Sequence, residues 1–424
     1  MSKRLSIMLL LMSGLTLSAQ NIRLTPYRAA SALYLNLDHL YSYNQYEHSR
    51  IEAGFTWVTP NETAEKPRVF IGQWSLGAYA AFGFKDKEFK YGGSVQLRLP
   101  GPGDVKIRLR GFNDLQMAAS RRMNDYNFLL PQLNATFLAS RFVSVRGAQI
   151  ETSVSLRRNW TFSAAALLAW EQYRFNNAGS LYLRSTFAPF PAFLPHTNLT
   201  ARLDHGRDFA IEATAGITKG GSTPSGNIPY LRMLAQYDGD PGDFGLHLFA
   251  QTGFVTPDAP YSRMFDLSGT GRTFYFFRNT FLTVRPNTFT SNFFAHFCLN
   301  FTSPLPLWQS SWSQPQPFLQ VNAMWGRLFG QDYQGKLFHD GLELQSPYMG
   351  LFEPATGFDG LLRWGLFDLG FAVAYQLCPF KAPYLNDTPT DNFAFAIVAT
   401  LIFDKTPPRI SPTSEHPYTI VPIK

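Results

Sequence analysis

The stretch GDVKIRLRGF, residues Gly103 to Phe112, alternates a cation with an aliphatic residue along most of its length. The cations are Lys106, Arg108 and Arg110, and the aliphatic residues are Val105, Ile107 and Leu109. A period of two residues predicts a β-strand with one polar face and one apolar face. What lies against each face therefore decides the fold.

The composition is unusual for a soluble domain. Of the 424 residues, 45% are hydrophobic and only 16% are charged, and the chain contains 39 Phe and 19 Tyr. Soluble domains average roughly 25% charged residues. The net charge of +7 is dispersed, without the basic run that is typical of a nucleic-acid patch. The two cysteines, Cys298 and Cys378, are too few for a disulfide scaffold.

The N-terminus predicts export. The stretch MSKRLSIMLLLMSGLTLSAQ has a basic start, a short apolar run and a small residue, Ala19, before a polar Gln20. This layout is typical of a cleaved signal peptide, and the apolar run is shorter than the roughly 20 residues that span a bilayer. We expect a signal peptide at 1–19, a lead-in at 20–48, a β-barrel at 49–404 and a flexible Pro-rich tail at 405–424.

The alternation recurs along the chain in runs such as QWSLGAYAAFGF, WTFSAAALLAWE, SNFFAHFCLNFT and NFAFAIVATLIF. These runs last about ten residues, whereas a mean globular strand has five or six. About ten residues is the length that a tilted strand needs to cross a membrane. Short turns, FKDKEF and GPGD, alternate with long loops, of which the clearest are Val255 to Gly271, Thr302 to Pro317, Gln331 to Thr356 and Pro379 to Asp391.

These features predict an all-β fold, a transmembrane antiparallel outer-membrane β-barrel of about 14 strands, with a range of about 12 to 16. A soluble β-sandwich also shows period two, but its strands are shorter and its core is aliphatic. Aromatic residues here stand near strand ends, as Trp74 with Phe84 and Trp160 with Trp170. Such positions are typical of the interfacial girdles of a membrane barrel.

Several segments resemble one protein family. They are YNQYEHSRIEAGFTW, LGAYAAFGFKDKEFKYGGSVQL, FFRNTFLTVRPNTFTSNFFAHFCLNF, SPLPLW, NAMWGRL and SPYMGLFE. They are similar to Bacteroidota outer-membrane proteins of unknown function, whose long members join a carboxypeptidase-regulatory-like sandwich domain to a C-terminal β-barrel. The N-terminal sandwich domain is absent, and QSSWSQPQP follows SPLPLW where the family tends to be basic. The resemblance implies location and fold, and it implies no reaction.

The polar faces of the strands are the candidate functional surface. Arg98, Lys106, Arg108 and Arg110 are expected to face the lumen, because a Lys or Arg in the lipid midplane costs about 2–4 kcal/mol. Two hypotheses follow for these cations. They form a cationic strip that favours anions in an open channel, or they pair with lumen carboxylates, for which Glu151, Glu212 and Asp368 are the candidates.

The sequence contains no strong catalytic or metal-binding motif. Candidates for an embedded hydrolase are His205, His247, His296, Glu151, Ser153, Ser155 and Ser291, but none stands in a G-x-S-x-G or H-E-x-x-H pattern. The acidic stretches NDYN, DGDPGD and DTPTD are interpreted as turns in which Asp caps its own backbone. We therefore expect no enzyme activity, no cofactor and no bound metal.

Three functions remain as hypotheses. The first is passive passage or binding of a small, perhaps anionic, solute. The second is a structural or assembly role, in which Trp308, Trp312 and Phe338 lie in long loops that dock a surface or periplasmic protein, because exposed apolar groups often mark partner contacts. The third, which carries least weight, is a membrane-embedded hydrolase. The predicted location is the bacterial outer membrane, with membrane lipid as a partner and no nucleic acid.

Overall fold

The structure is a computed structural model, and it describes most of the predicted barrel region. The described residues are 22–24, 31–36, 40–44, 46–59, 73–99, 101, 103–117, 141–156, 159–175, 194–206, 208–219, 226–239, 244–257, 259, 264–266, 280–284, 289–310, 312–332, 335–339, 342–364, 367–377 and 392–401. The predicted signal peptide and C-terminal tail lie outside these residues, as do Arg157 and Cys378. The described part contains no helix that is long and apolar enough to span a membrane.

Strands dominate the described chain. They are β1 (Ile22–Arg23), β2 (Ala32–Asn36), β3 (Tyr41–Asn44), β4 (His48–Val58), β5 (Gln73–Gly83), β6 (Phe89–Leu99), β7 (Val105–Met117), β8 (Arg141–Ser155), β9 (Trp160–Phe175), β10 (Leu194–His205), β11 (Phe209–Lys219), β12 (Asn227–Gly239), β13 (Gly245–Val255), β14 (Phe265–Asp266), β15 (Thr290–Ser291), β16 (Phe293–Thr302), β17 (Gln316–Arg327), β18 (Lys336–His339), β19 (Leu342–Gln345), β20 (Leu351–Trp364), β21 (Phe367–Tyr375) and β22 (Phe393–Leu401).

The long strands form one antiparallel meander. Each pairs with the next along the chain from β4 to β13, and the series continues through β16, β17, β20, β21 and β22. On the N-terminal side, β2 and β3 both pair with β4, and β1 pairs with β2. The sheet therefore begins before the predicted boundary at residue 49. No hydrogen-bonded pair between β22 and the first three strands is found among the described residues.

The main sheet has 18 strands. Without the short β1 and β3, sixteen remain in the described chain, which is two more than the central prediction and at the upper end of the predicted range. The extra strands come from segments in which the alternation is weak, such as the lead-in, where pairing with β4 rather than local pattern forms β2. Two small hairpins, β14 with β15 and β18 with β19, stand apart from the main sheet.

The sheet is apolar on its exposed face and polar on its buried face, which reverses the order of a soluble protein. On β7, Leu109 is 54% exposed, whereas Lys106 on the opposite face is only 9% exposed. On β22, Phe395 is 70% exposed, whereas the neighbouring alanines are buried. This polarity confirms the predicted fold class, because only a barrel wall facing lipid exposes its apolar side and encloses its polar side.

The connections differ between the two ends of the sheet. One end, here the long-loop end, carries the connections 118–140, 176–193, 256–289 and 328–350; the other, the short-turn end, carries 100–104, 156–159, 206–208, 240–244 and 365–366. Two predicted connections break this rule. The short turn of FKDKEF lies at the long-loop end, and the long Thr302 to Pro317 loop lies at the short-turn end, because in a meander the end is set by strand order and not by length.

Candidate functional site

The inner, polar face of the sheet divides into three sectors. The charged sector covers β4 to β11 and carries the ionisable residues Arg50, Glu52, Lys90, Arg98, Lys106, Arg108, Arg110, Asp114, Glu151, Glu171, Arg202, Asp204 and Glu212. The amide sector covers β12 to β17 and carries Gln236, Gln251, His296, Asn300, Gln320 and Asn322. The alanine sector covers β20 to β22 and carries Ala355, Ala372, Ala374, Ala394, Ala396 and Val398.

The four predicted lumen cations all lie on the inner face of the charged sector, but they do not form an open strip. Arg98 makes two bonds to the carboxylate of Asp104, at 2.6 and 3.0 Å. Arg110 donates to the side-chain oxygen of Gln149 at 2.7 Å, and its guanidinium stands 5.0 Å from the centre of the Phe112 ring. The contacts of these two cations follow the pairing hypothesis only in part, because Gln149 is neutral.

The other two cations stand beside partners set by strand register. Arg108 faces Glu151 across the β7–β8 pair, and Lys106 faces Ser153 on the same strand. Farther along the sheet, the predicted partner Glu212 lies 3.8 Å from both Arg202 and Arg232. The side chain of the third predicted carboxylate, Asp368, lies outside the described side chains.

A buried charge network lies near the long-loop end, and sequence reasoning missed most of it. Arg50 donates to Asp114 at 2.7 Å and to Glu52 at 2.7 Å, and Lys90 contacts Glu47 at 2.7 Å. Arg50 and Asp114 are on β4 and β7, strands about 14 Å apart in a flat sheet. Their direct contact shows that the inner face is concave here.

This network also explains the GFKDKEFKYGG segment. Lys90 bonds to Asp86 within the turn between β5 and β6, and Lys87 adopts a left-handed conformation with φ of 56°. The predicted solvated hairpin is therefore only partly solvated, because Lys90 is buried between Asp86 and Glu47. The available signal was phase, since Arg50, Lys90 and Asp114 all occupy polar-face positions of their strands.

The amide sector is neutral and deeply buried. None of its six side chains is more than 4% exposed. Strand register places Gln251 opposite His296, and Asn300 opposite Gln320, to whose side-chain oxygen Asn300 donates at 3.3 Å. Strand by strand these residues look like ordinary polar-face positions, and only the pairing of β12, β13, β16 and β17 joins them into one surface.

A short piece of the connection between β13 and β16 lies against this surface. Residues 280–284, here the inner segment, are at most 4% exposed. Glu353 on β20 accepts the backbone N–H groups of Leu282 at 2.9 Å and Thr283 at 2.8 Å, and it also accepts the Thr283 hydroxyl. Asn322 donates to the carbonyl of Thr280 at 2.8 Å. The inner segment is thus held inside the curved sheet.

The predicted hydrolase residues are dispersed over the sheet. Ser153 and Ser155 are on β8, whereas His247 and His296 are on β13 and β16, and His205 stacks on Trp160 at the end of β10. The buried histidine that sequence reasoning missed is His196. Its Nδ1 lies 3.0 Å from the Thr218 hydroxyl and its Nε2 lies 3.7 Å from Glu171, but Thr218 is fully buried and offers no surface to a substrate.

The loop between β16 and β17 exposes apolar side chains at the short-turn end. Leu305, Trp308 and Trp312 are 74%, 49% and 60% exposed. The loop is nevertheless fixed, because the buried Ser313 accepts from the Trp308 indole at 3.1 Å and donates to the carbonyl of Leu361 at 2.7 Å. Phe338, predicted to share the docking role, lies instead in β18 at the opposite end of the sheet.

The comparisons with known proteins found distant likenesses only. No family model and no curated protein matches the chain. Among solved structures, BamA from Haemophilus ducreyi lacking POTRA domains 1-3 aligns at 10% identity over 94% of this chain and 78% of that one, with a TM-score of 0.49. CdiB from Acinetobacter baumannii aligns at 8% identity over 88% of this chain and 59% of that one, with a TM-score of 0.38.

A third likeness is a bacterial polysaccharide outer membrane secretin, at 10% identity over 88% of this chain and 97% of that one, with a TM-score of 0.30. At these scores the three likenesses carry no weight for function. The functional reasoning below therefore starts from the described side chains.

Proposed function

We propose that the chain is a bacterial outer-membrane β-barrel whose interior gives a passive route to small polar solutes. The observation that supports this most is the reversed polarity of the sheet, which exposes rows of Phe, Leu and Trp and buries Arg, Lys, Glu and Gln. Exposed apolar rows fit lipid, and an enclosed polar face fits a lumen. The long-loop end then faces outward, because barrels of this class have short periplasmic turns.

The resemblance to the Bacteroidota family is part of the same proposal. The segment that resembles the family most specifically, GFKDKEFKYGG, builds the turn that buries Lys90 between Glu47 and Asp86. A segment that serves barrel assembly would be kept among related barrels whatever solute they pass.

The charged sector supports weak selectivity rather than a strong preference for anions. Arg98 is paired with Asp104, and Arg202 lies between Asp204 and Glu212, so positive and negative charges alternate along the wall. A mixed wall gives a smaller electrostatic barrier to either ion than a ring of one sign.

Purified protein in planar lipid bilayers tests the proposal. We expect stable conductance steps in the wild type, and a shift of the reversal potential toward cations in Arg108→Glu. Thr200→Ala is the control, because Thr200 bonds to Thr214 on the inner face and carries no charge. Absence of conductance from correctly folded barrel would contradict the passage function.

A second candidate function is assembly with a periplasmic protein. The observation that favours it is the fixed apolar loop around Trp308 and Trp312, which lies at the short-turn end and not at the end expected to face outward. Crosslinking from a photoreactive residue at position 312, with Trp160 as the control position, would test it. A product of defined mass from position 312 alone is expected.

A further inference from the structure

The inner segment is held by few polar contacts, and most of them converge on one side chain. Three bonds end on the carboxylate of Glu353, and one more joins Asn322 to the carbonyl of Thr280. A carboxylate that accepts backbone N–H groups makes charge-assisted hydrogen bonds, which are about twice as strong as neutral ones. The position of the segment therefore depends on Glu353 more than on any other described polar group.

The apolar contacts of the segment are with small side chains. Leu282 packs in one cluster with Phe318 and the alanines of the alanine sector, among them Ala372 and Ala396. Alanine leaves a smooth wall without interdigitating side chains, so the segment meets few steric barriers to displacement. Phe281 stacks near His296, with ring centres 5.4 Å apart.

The surface beneath the segment contains polar atoms that the fold leaves unsatisfied. No hydrogen-bond partner among the described residues reaches Oε1 of Gln236, Oε1 of Gln251 or Nε2 of Gln320. Each such atom costs about 1–3 kcal/mol if it stays dry. Water or a bound solute would satisfy all three at once, which indicates that this surface is built to be wet in another state of the protein.

The chemistry of the sector selects the kind of solute. Its donors and acceptors are amides and imidazole, without a formal charge in the row from Gln236 to Asn322, and the rings of Phe249 and His296 stand 5.5 Å apart beside them. Amides bond hydroxyl groups in either direction, because each carries both donors and an acceptor. An inorganic ion gains little from such a wall, whereas a hydroxyl-rich neutral molecule gains several bonds.

We propose that the amide sector is a binding surface for uncharged, hydroxyl-rich solutes of the sugar type, covered by residues 280–284, and that Glu353 is the latch that holds this cover in place. This inference rests on the proposed passage function, since it names the solute class and the point of control. Release of the cover adds water and solute to Gln236, Gln251 and Gln320.

The native Cys298 is the probe for the cover. It lies on β16 opposite Asn322, is fully buried, and belongs to the inner face beside the segment. In a Cys378→Ser background, a small membrane-impermeant thiol reagent is expected to modify Cys298 slowly. Glu353→Ala should speed this modification about tenfold or more, the effect of losing one buried charge-assisted hydrogen bond.

The matched control is Glu151→Ala, which removes an inner-face carboxylate from the charged sector and should leave the modification rate of Cys298 unchanged. Asn322→Ala supplies a second release variant if Glu353→Ala does not fold, as judged by heat-modifiable gel mobility. Equal protection of Cys298 in the wild type and in the folded release variants would overturn the cover.

The solute class is tested by competition and needs no transport. In Glu353→Ala, sucrose should slow the modification of Cys298, potassium chloride of equal osmolarity should not, and Gln251→Leu should abolish the effect of sucrose. Failure of sucrose to protect would overturn the binding surface. Protection by sucrose without conductance in any variant would support the surface and contradict the passage function instead.

Discussion

Arg50 shows how much a single inner residue holds together. It bonds to Glu52 on its own strand and to Asp114 on β7, and it stands 3.6 Å from Glu47. Arg50→Ala leaves these carboxylates close together without their shared cation. Removing one partner of a buried pair costs about 3 kcal/mol, and we expect a loss of this size in the free energy of unfolding, measured by urea titration in detergent micelles.

Arg146 is the comparison for Arg50. It is also an arginine bonded across the β7–β8 pair, to Asn113 at 3.1 Å, but it is exposed. Arg146→Ala should cost less than about 1 kcal/mol, as exposed pairs do. Equal losses in the two variants would show that the network around Arg50 is solvated rather than enclosed.

A second residue-scale prediction concerns two neighbouring glycines on β6. The ring of Tyr79 lies over Gly92, so that a Cβ there would stand 2.4 Å from the ring, whereas a Cβ at Gly93 on the other face would meet nothing closer than 3.5 Å. Gly92→Ala should therefore destabilise by about 1–3 kcal/mol through overpacking, and Gly93→Ala should be nearly neutral. Unfolding midpoints of both variants decide, and Tyr79→Ala should rescue Gly92→Ala.

At this scale the sequence predicts faces but not partners. Alternation is a local property, and it correctly separated Leu109 from Lys106 on β7. The contact between Arg50 and Asp114 joins residues 64 positions apart, and it depends on curvature and register that no local pattern carries. His196 and Glu353 were missed for the same reason, because each is one polar residue on a wet face until its neighbours are known.

Strand β7 provides the element-scale test of the membrane assignment. Leu109 lies within the strand on the exposed face, and Val105 begins the strand on the same face. If that face meets lipid, Leu109→Arg should cost about 2–4 kcal/mol and Val105→Arg about 0–1 kcal/mol, because the cost falls toward the interface. Refolding into lipid vesicles measures both values, and equal costs would argue for a water-exposed face.

The elements also show where pattern reading stops. Long alternating runs identified the strands that cross the sheet, since ten or more in-phase residues are hard to mistake. The inner segment has no such signal: five residues, Thr-Phe-Leu-Thr-Val, read as any apolar turn, and only tertiary contacts with Glu353 and Asn322 place them inside. A scan of polar-face composition along the chain would have revealed the change from charged to amide residues after β11.

The whole molecule has sixteen principal strands in its described part, and this even number fixes the two ends of the sheet. Epitope tags in the connection 118–140 should be accessible on intact cells, whereas tags in the turn 206–208 should become accessible only after the outer membrane is opened. Antibody binding to whole and permeabilised cells measures this. Surface exposure of the 206–208 tag alone would reverse the proposed orientation.

The same even count brings three features of the chain to one side. Strand β2 begins and β22 ends at the short-turn end, where the loop with Trp308 and Trp312 also lies. A reporter enzyme fused ahead of β2 and one fused behind β22 would therefore work in the same compartment, within reach of that loop. Proximity labelling from the two fusions should mark one common set of neighbours, so that each fusion serves as the internal replicate of the other.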